Sequence, residues 1–454
     1  MVKHTADFRP RAERLEAGKA LRKKVSRSDH AAWKPAPDRP DPIAVLQADS
    51  EGRLEELLPI RWERMLASPF AFLRGAAAVM AIDLAPTPVT GLRLQAGGDC
   101  HLANFGGFAT PERHLVFDVN DFDETLPAPW EWDVKRLAAS SVVAGRFIGV
   151  SGSAGAAAAR AGVRAYREMM IRLAQKRVLD VWYARLDLET LARASDPAER
   201  SRLAAQTAKA RKQTMAHIFP KMTEIRDGKR CIKDEPPRIY HSHTEDVEAG
   251  ARSFLNRFRA SLVPERRVLF DRFELVDVAM KVVGVGSVGT RCAVALLMAP
   301  DDDPLFLQIK EARPSVFEPF AGKSVYKNHG ERVVLGQRLM QSASDIFLGW
   351  SRDAGGRDYY CRQLRYLKVS PVFDGMQATE LTDYAGFCGR ALARAHARSG
   401  DAAVLAGYLG ANDVFDQALA KFAVVYADQT ERDFEALQKA VRAGILNASL
   451  ETKG

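Results

Sequence analysis

The sequence predicts an α+β protein in which a mainly helical part is combined with a smaller antiparallel sheet. Apolar residues recur with a period near 3.6 residues from about residue 156 to 221, and helices are again predicted over 384–398 and 414–443. Short apolar runs separated by turn residues lie near 104–117 and 276–310, which is typical of antiparallel hairpins. Together these patterns predict the α+β class.

The composition is that of a globular protein with two or three domains. The 454 residues are 47% hydrophobic and 27% charged, and 66 basic against 57 acidic residues leave a net charge of +9. This mild excess suits an enzyme of anionic substrates as well as a weak nucleic-acid binder. The five cysteines are widely spaced and include no Cys-x-x-Cys pair, which disfavours disulfides and zinc ribbons. No apolar run approaches the roughly 20 residues of a membrane span and no signal-peptide core is present, so we expect a soluble, cytoplasmic protein without membrane contact.

The first 42 residues are basic and contain several prolines. This composition predicts a flexible, solvated arm before the first helical pattern, which begins at Ile43. The arm offers a weak possibility of nucleic-acid binding. Only Phe8 and Trp33 interleave its charges, however, so nucleic acid is not the favoured partner.

The stretch Gly98-Asp99-Cys100-His101-Leu102-Ala103-Asn104 contains the first candidate site. It leads into a predicted hairpin with strands at 104–108 and 115–117. The hairpin would bring Asn104 and Asp118 together at one end, with Asp99 on the loop just before it. An amide and two carboxylates that converge on a loop make a site for a hard cation such as Mg²⁺.

A second candidate site lies in the predicted sheet. A strand, a Gly-x-Gly-x-x-Gly turn from Gly284 to Gly289 and a second strand make a hairpin, and a third strand ends at Lys310. A dinucleotide-binding fingerprint would need a full helix after the last glycine, whereas Pro300 stops the short apolar run that follows. Glycines in a hairpin let backbone N–H groups cover phosphates, and Lys310 can meet phosphate oxygens. A plain glycine-rich hairpin is the alternative interpretation.

Both stretches resemble the protein-kinase-like superfamily, and the first is closest to the aminoglycoside- and choline-kinase branch, whose loop reads Gly-Asp-x-His-x-x-Asn. The resemblance implies a two-lobed fold that uses ATP and Mg²⁺. It implies that Asp99 is the catalytic base, with His101 in the same loop, and that Asn104 and Asp118 bind metal. Asp121, which is followed by Phe122, matches the Asp-Phe sequence of the second metal ligand in that superfamily. Asp121 and Asp123 are therefore further candidate ligands.

The same resemblance assigns the nucleotide-binding residues. The loop that contains Gly284, Gly286, Ser287 and Gly289 would cover the phosphates, and Lys310 would hold them. Glu331 stands at the start of a helix in the place of the kinase C-helix and would pair with Lys310. Asp133, which opens a helix in the run Trp-Glu-Trp-Asp-Val-Lys-Arg-Leu, resembles the residue that supports the catalytic loop by accepting its backbone N–H groups.

The two candidate sites occur in the reverse of the usual kinase order, because the catalytic loop comes before the Gly-rich loop. Domain termini commonly lie close together, so a circular permutation is physically tolerable. We therefore expect a permuted kinase-like fold with a mainly helical C-lobe over 43–265, a small antiparallel N-lobe over 266–370, and a helical return to the C-lobe over 371–454. The sequences of these motifs also resemble those of a bacterial family described as domain of unknown function 2252, and this resemblance covers the chain from about Ile43 onwards.

The function expected from this resemblance is ATP- and Mg²⁺-dependent phosphoryl transfer to a hydroxyl group of a small molecule or a protein. Nucleotidyl (AMP) transfer at the same site is an alternative. A non-catalytic nucleotide-sensing module is another, and it would bind nucleotide without turnover. We recognise no motif that identifies the acceptor or the oligomeric state.

Overall fold

The computed structural model describes residues 7–194, 197–241, 247–364 and 367–448, and it confirms the α+β class. The α-helices, numbered along the chain, are α1 Arg11–Ala20, α2 Pro42–Ser50, α3 Leu58–Leu66, α4 Pro69–Gly75, α5 Ala77–Leu84, α6 Trp130–Phe147, α7 Gly152–Ala174, α8 Val178–Trp182, α9 Leu188–Ala194, α10 Pro197–Lys212, α11 Met215–Met222, α12 Val247–Ser261, α13 Pro264–Phe270, α14 Glu318–Ala321, α15 His329–Met340, α16 Ala378–Ser399, α17 Ala402–Leu409 and α18 Val414–Arg442.

The strands form small antiparallel sheets. They are β1 Arg93–Ala96, β2 Phe105–Ala109, β3 Leu115–Val119, β4 Leu126–Pro129, β5 Thr223–Arg226, β6 Lys229–Ile232, β7 Ile239–Tyr240, β8 Glu274–Lys281, β9 Cys292–Ala299, β10 Asp303–Glu311, β11 Gly349–Arg352, β12 Asp358–Gln363 and β13 Lys368–Val369. The largest sheet has six strands in the order β11-β12-β10-β9-β8-β7, and a three-stranded sheet has the order β13-β2-β3. The predicted hairpin that follows the first motif is confirmed as β2 and β3, which pair from Phe105 with Val119 to Ala109 with Leu115.

The helical part is built on α6, α7, α16 and α18, which pack against one another around one large apolar core. Small residues let these helices approach closely. A side chain at Gly389 of α16 would overlap the backbone carbonyl oxygen of Gly162 on α7, so this crossing requires glycine. The close packing makes α6 a rigid support for the loops that lie against its N-terminal half.

The six-stranded sheet has two different faces. One face is apolar and packs against α12, where Phe254, Leu255 and Phe258 join Leu297 and Leu307 in a separate core cluster. The opposite face begins apolar, with Phe306 packed beside Ile232 and Phe219. It becomes polar further along β10, at Gln308 and Lys310. This change of character along one face opens a polar surface towards the helical part.

The predicted boundary between the two parts at residue 266 is too late in the chain. Helix α12 covers the sheet, and Ile232 of β6 and Phe219 of α11 pack on its other face. The reason is that the sheet needs apolar cover on both faces, and the chain supplies that cover before the first long strand begins.

The prediction of a flexible N-terminal arm is wrong for residues 7–42. Helix α1 packs on α17, and Arg22 donates hydrogen bonds to the backbone carbonyls of Gly407 (2.5 Å) and Tyr408 (2.8 Å). Arg39 forms ion pairs with Asp83 (2.7 Å) and Asp433 (2.6 Å) and is only 10% exposed. Arg22 and Arg39 are therefore bound to carbonyl and carboxylate groups of the helical part, which the local composition does not reveal.

No helix within the described residues is long and apolar enough to cross a membrane.

Candidate functional site

A cavity of about 680 Å³ lies between the helical part and the six-stranded sheet, on the face of the sheet that carries Gln308 and Lys310. Both stretches singled out in the sequence line this cavity, although they are separated by almost two hundred residues. The lining residues from the predicted set are Asp99, His101, Asn104, Asp121, Asp123, Gly284, Gly286, Ser287 and Lys310. Asp118, Gly289 and Glu331, which were also predicted as site residues, do not line it.

The loop that contains Asp99 is held by the first turns of α6. The carboxylate of Asp133 accepts hydrogen bonds from the backbone N–H groups of Gly97 (2.7 Å) and Gly98 (2.9 Å). This confirms the supporting role expected for Asp133. Its Oδ2 also lies 3.0 Å from Nε2 of His396, and both side chains are fully buried. Gly98 has φ +86°, a conformation that glycine adopts without strain, so the chain can turn sharply here before Asp99.

One face of α6 makes three separate contacts with this loop. Asp133, Arg136 and Ser140 are spaced three and four residues apart and so lie on the same side of the helix. Arg136 donates from Nε to a carboxylate oxygen of Asp99, and Oγ of Ser140 accepts from the backbone N–H of Leu102 at 3.0 Å. Arg136 was not among the predicted site residues. Its position three residues after Asp133 is the signal that could have identified it.

The carboxylate of Asp99 faces the cavity in a crowded, charged environment. Burial raises the pKa of this group to about 6, although the Arg136 guanidinium opposes the rise. The side-chain amide of Asn104 donates to the backbone carbonyl of Asp99 (2.8 Å) and to its carboxylate (3.2 Å). Asp99 and Asn104 therefore lie together, as the sequence predicts, and Asp99 is ionised at neutral pH but titrates close to it.

His101 is buried, and its Nε2 lies 3.6 Å from the Asp99 carboxylate. Burial lowers the pKa of the imidazole well below its ordinary value, and the guanidinium groups of Arg136 and Arg74 act in the same direction. The imidazole therefore favours its neutral form and lies beside Asp99, and the catalytic role of His101 stays a prediction.

Asp118 is a correction to the predicted metal ligands. It is fully buried and faces away from the cavity, where it pairs with Arg394 (2.6 Å). It also accepts hydrogen bonds from the backbone N–H (2.9 Å) and hydroxyl (2.8 Å) of Ser342. The reason is that β3 continues to Val119, so Asp118 remains inside a paired strand. The carboxylates that reach the cavity come after the strand has ended.

Those carboxylates are Asp121 and Asp123. Asp123 is the acceptor of a small network that joins both parts of the protein, with Nζ of Lys310 at 2.7 Å, the hydroxyl of Tyr360 at 2.7 Å and Oγ of Ser287 at 3.0 Å. Lys310 and these two hydroxyl groups lower the pKa of Asp123 to about 2 against the opposing effect of burial. Asp121 lines the cavity beside it, and one of its oxygens accepts from the backbone N–H of Asp123 at 3.1 Å.

The Gly-rich turn between β8 and β9 covers this network. Gly284, Gly286 and Ser287 line the cavity, whereas Gly289 has φ +87° and lies against the Arg53 side chain. Arg53 donates to the carbonyls of Gly286 (3.0 Å) and Val288 (2.8 Å). The position of the turn is therefore set by the N-terminal part of the chain as well as by the sheet.

Glu331 is a second correction. Lys310 pairs with Asp123, and Glu331 lies on the first turn of α15, where its backbone N–H is capped by Asn328 at 3.1 Å. The next residue, Arg332, points inwards instead. It donates to the backbone carbonyls of Thr125 (2.6 Å), Asp123 (2.8 Å) and Arg313 (2.7 Å). Helix α15 thus contacts the segment from Asp123 to Thr125 through the Arg332 side chain, which donates to the backbone carbonyls of that segment.

The donor set of the cavity fits a hard cation only in part. Among the described residues, no three His, Cys, Asp or Glu side chains lie together in a way that could hold a metal ion. Asp121, Asp123 and the amide of Asn104 do line the same cavity. Mg²⁺ is commonly held by one or two carboxylates together with ligand phosphate oxygens and water, and these carboxylates and this amide are donors of that type.

Comparison with known proteins places the chain in a family. A family model described as an uncharacterized protein conserved in bacteria (DUF2252) matches residues 53–440. No curated protein and no solved structure matches the chain. The matched segment includes every residue of the cavity apart from Asp49. Since the match spans most of the sequence, the chain belongs to the DUF2252 family of bacterial proteins.

Proposed function

We propose that this protein is an ATP- and Mg²⁺-dependent phosphotransferase with a circularly permuted, kinase-like fold, acting on a hydroxyl group of a small molecule or a protein. The helical part would be the C-lobe, and the six-stranded sheet would be the N-lobe that binds nucleotide. The permuted order follows from the position of the Asp99 loop, which precedes the Gly-rich turn in the chain.

One observation carries this proposal. Lys310, at the end of a sheet strand, forms an ion pair with Asp123, which follows a hairpin in the helical part 187 residues earlier. The Gly-rich turn joins the same network through Ser287. Phosphoryl transfer requires phosphate-binding groups, carboxylates for a metal and a positioned base within one water-filled cleft. All three kinds of group line this cavity.

Asp99 is assigned as the group that orients the acceptor hydroxyl and accepts its proton. A positioned base of this kind typically contributes about 10²–10⁴ in rate. Lys310 and the backbone of the Gly-rich turn are assigned to the phosphates of the donor. Asp133 and Arg136 hold the Asp99 loop and are positioning residues.

Asp121, Asp123 and Asn104 are assigned to Mg²⁺. When bound, the ion neutralises charge on the phosphate oxygens. Before nucleotide enters, both oxygens of Asp123 accept hydrogen bonds from Lys310, Tyr360 or Ser287. Nucleotide phosphates would compete for Lys310 and release Asp123 for the metal.

The test is ATP turnover in the presence of Mg²⁺, with label in the γ- or the α-phosphate, against a panel of metabolites and proteins. Wild type is compared with Asp99→Asn, Asp123→Asn and Lys310→Met. Asp374→Asn and Lys323→Met change exposed residues of the same types and are the matched controls. Thermal unfolding of each variant checks that it folds.

Transfer of the γ-label that is lost in all three site variants and kept in both controls is the expected result. Transfer of the α-label would instead establish nucleotidyl transfer at the same site. Nucleotide binding that is insensitive to Asp99→Asn, without any transfer, would favour a sensing module. Absence of nucleotide binding would overturn the proposal.

A further inference from the structure

The cavity-facing side of the six-stranded sheet carries cationic side chains in addition to Lys310. On this face Lys310 lies opposite Cys292, and Gln308 lies opposite Arg362. Lys281, the last residue of β8, follows Met280, which pairs with Ala293, so it lies beside Cys292. Residues directly opposite each other in antiparallel strands project to the same side of a sheet. Lys281, Lys310 and Arg362 therefore share one face, and all three line the cavity.

These cations differ in their partners. Lys310 is neutralised by Asp123 at 2.7 Å. Arg362 forms no ion pair with the described residues; it contacts the side-chain oxygen of Gln308 at 3.3 Å and the ring of Tyr360, whose centroid is 5.8 Å from the guanidinium carbon. Burial lowers the pKa of Arg362, but Tyr360 and the more distant carboxylates of Asp121 and Asp123 raise it overall. Lys281 has neither a hydrogen bond nor an ion pair with any residue in the described part of the chain. Arg238, which lines the same end of the cavity, has a single long contact, 3.8 Å to the exposed Glu235.

The charge of Lys281 is unfavourable in the free protein. Burial lowers the pKa of Lys281, and the neighbouring Arg238 and Arg362 guanidinium groups act in the same direction. Like charges that share a partly dehydrated surface repel one another unless an opposite charge lies between them. Because none of the described residues forms an ion pair with Lys281, and Arg362 is compensated only by carboxylates that it does not contact, an anionic ligand would stabilise the charged form of Lys281 and bind Arg362 directly.

The cationic side chains at this end of the cavity are spread across several strands of the sheet. Strand spacing in a sheet is about 4.8 Å, so the backbones of Lys281 on β8 and Lys310 on β10 lie roughly 10 Å apart across β9. The residues around the space between them are Gln308, Arg362 and Lys281, and Leu364 contributes an apolar edge. Charge-assisted hydrogen bonds to an anion are the strongest interactions that these side chains can make.

We propose that the ligand of this cavity carries a phosphate group in addition to those bound at Lys310, and that Lys281, Arg362 and Arg238 bind it. The ligand class is a phosphate-rich donor, either a nucleotide with a further phosphate on its ribose or a linear polyphosphate. This inference rests on the proposed function only in taking the Lys310 end of the cavity as the place of the transferred phosphoryl group.

The test is a calorimetric titration of the full-length protein with Mg²⁺ and each of three probes: ATP, ATP with an additional 3′-phosphate, and a linear polyphosphate of defined length. Two extra charge-assisted contacts should make one of the phosphate-rich probes bind about 10- to 100-fold more tightly than ATP. In Lys281→Met and in Arg362→Met the ratio of that affinity to the ATP affinity should fall towards one. Lys323→Met, a change at an exposed lysine, should keep the wild-type ratio.

The two phosphate-rich probes distinguish the sources of the extra phosphate. Tight binding of the 3′-phosphorylated nucleotide alone would assign a nucleotide ligand, and tight binding of polyphosphate alone would assign a chain. Equal affinity of all three probes for the wild type, or an unchanged ratio in both variants, would overturn the inference. Because binding needs no turnover, a failure of phosphoryl transfer would leave this result unaffected, so failure of the proposed function can be distinguished from failure of this inference.

Discussion

Replacing Arg136 with glutamine is expected to raise the pKa of Asp99 and to move the acid limb of the pH–activity profile to higher pH. Arg136 donates to the carboxylate of Asp99, whose side chain is 18% exposed. Burial already raises the pKa of Asp99 to about 6, and the guanidinium is the largest effect that opposes the rise. Removing it leaves a buried carboxylate without its main cationic partner.

The size of the effect follows from the position of this ion pair. An adjacent opposite charge typically shifts a carboxyl pKa by about 1–3 units, so the pKa of Asp99 should increase from about 6 to between ~7 and ~9. At pH 7 the ionised fraction would fall from ~0.9 to between ~0.5 and ~0.01, which corresponds to a rate about 2- to 90-fold lower if ionised Asp99 is the base. At pH 9 the same variant should recover to within about twofold of the wild type.

The assay is γ-label transfer between pH 5 and 9.5, together with the carboxyl carbon-13 NMR titration of Asp99, assigned with Asp99→Asn. Arg136→Lys retains a positive charge and is the matched control, with a smaller shift in the same direction. The NMR titration reports the pKa of Asp99 whether or not an acceptor is known. An unchanged pKa with equal loss of activity at every pH would refute this reasoning and reduce Arg136 to a folding role.

Three further predictions concern the fold. Arg39→Met should lower the free energy of unfolding by about 3–5 kcal/mol in denaturant titrations, because two buried carboxylates, Asp83 and Asp433, lose their shared cation. Arg9→Met, at an exposed pair, should leave the free energy of unfolding almost unchanged, and equal effects of the two substitutions would contradict the packing of the N-terminal segment. Gly18→Ala should lower the free energy of unfolding by about 1–3 kcal/mol, because the added methyl group would overlap the carbonyl oxygen of Val404 and displace α1 from α17. Gly152→Ala, where the added methyl group meets open space, should not destabilise the protein. A Gly18→Ala variant with unchanged stability would show that α1 is not docked. Asp277 and Asp234 raise the pKa of His241 against the opposing effect of burial. The stability that His241 contributes should therefore be complete below about pH 6.5, the pKa of histidine in the unfolded chain, and should be lost as the pH rises through the higher pKa of the folded state. The thermal unfolding temperature of His241→Gln should accordingly differ more from that of the wild type at pH 6 than at pH 8.5. A constant difference would contradict this ion-pair assignment.

Local sequence patterns were sufficient to predict those elements that are determined by neighbouring residues. The hairpin of β2 and β3, the helix that begins beside Asp133, and the strand that ends at Lys310 all follow from periodicity and turn residues, and they occur where expected. The grouping of Asp99, Asn104, Asp123 and Lys310 in one cavity also agrees with the two predicted motifs. The support of the Asp99 loop by Asp133 was expected from a resemblance and is confirmed by two hydrogen bonds.

The errors lie where a side chain could have turned in either direction. Asp118 is surrounded by other acidic residues in the sequence, and only the continuation of β3 to Val119 and the presence of Arg394 keep it in the core. Glu331 begins a helix as expected, but the helix is rotated so that Arg332 faces the acidic segment. The N-terminal segment has the composition of a solvated arm, and several of its partners, such as Tyr408 and Asp433, lie almost four hundred residues away.

By itself, the sequence determined the α+β class, the two motifs and nine of the residues that line the cavity, because backbone propensity, turn chemistry and short spacings are encoded locally. The tertiary structure alone decided which carboxylate pairs with Lys310, that Arg136 contacts Asp99, and that Lys281 and Arg362 share a face without an ion pair among the described residues. These outcomes depend on strand register, helix rotation and the burial of charge, and each of them is set by contacts between segments that are distant in the chain.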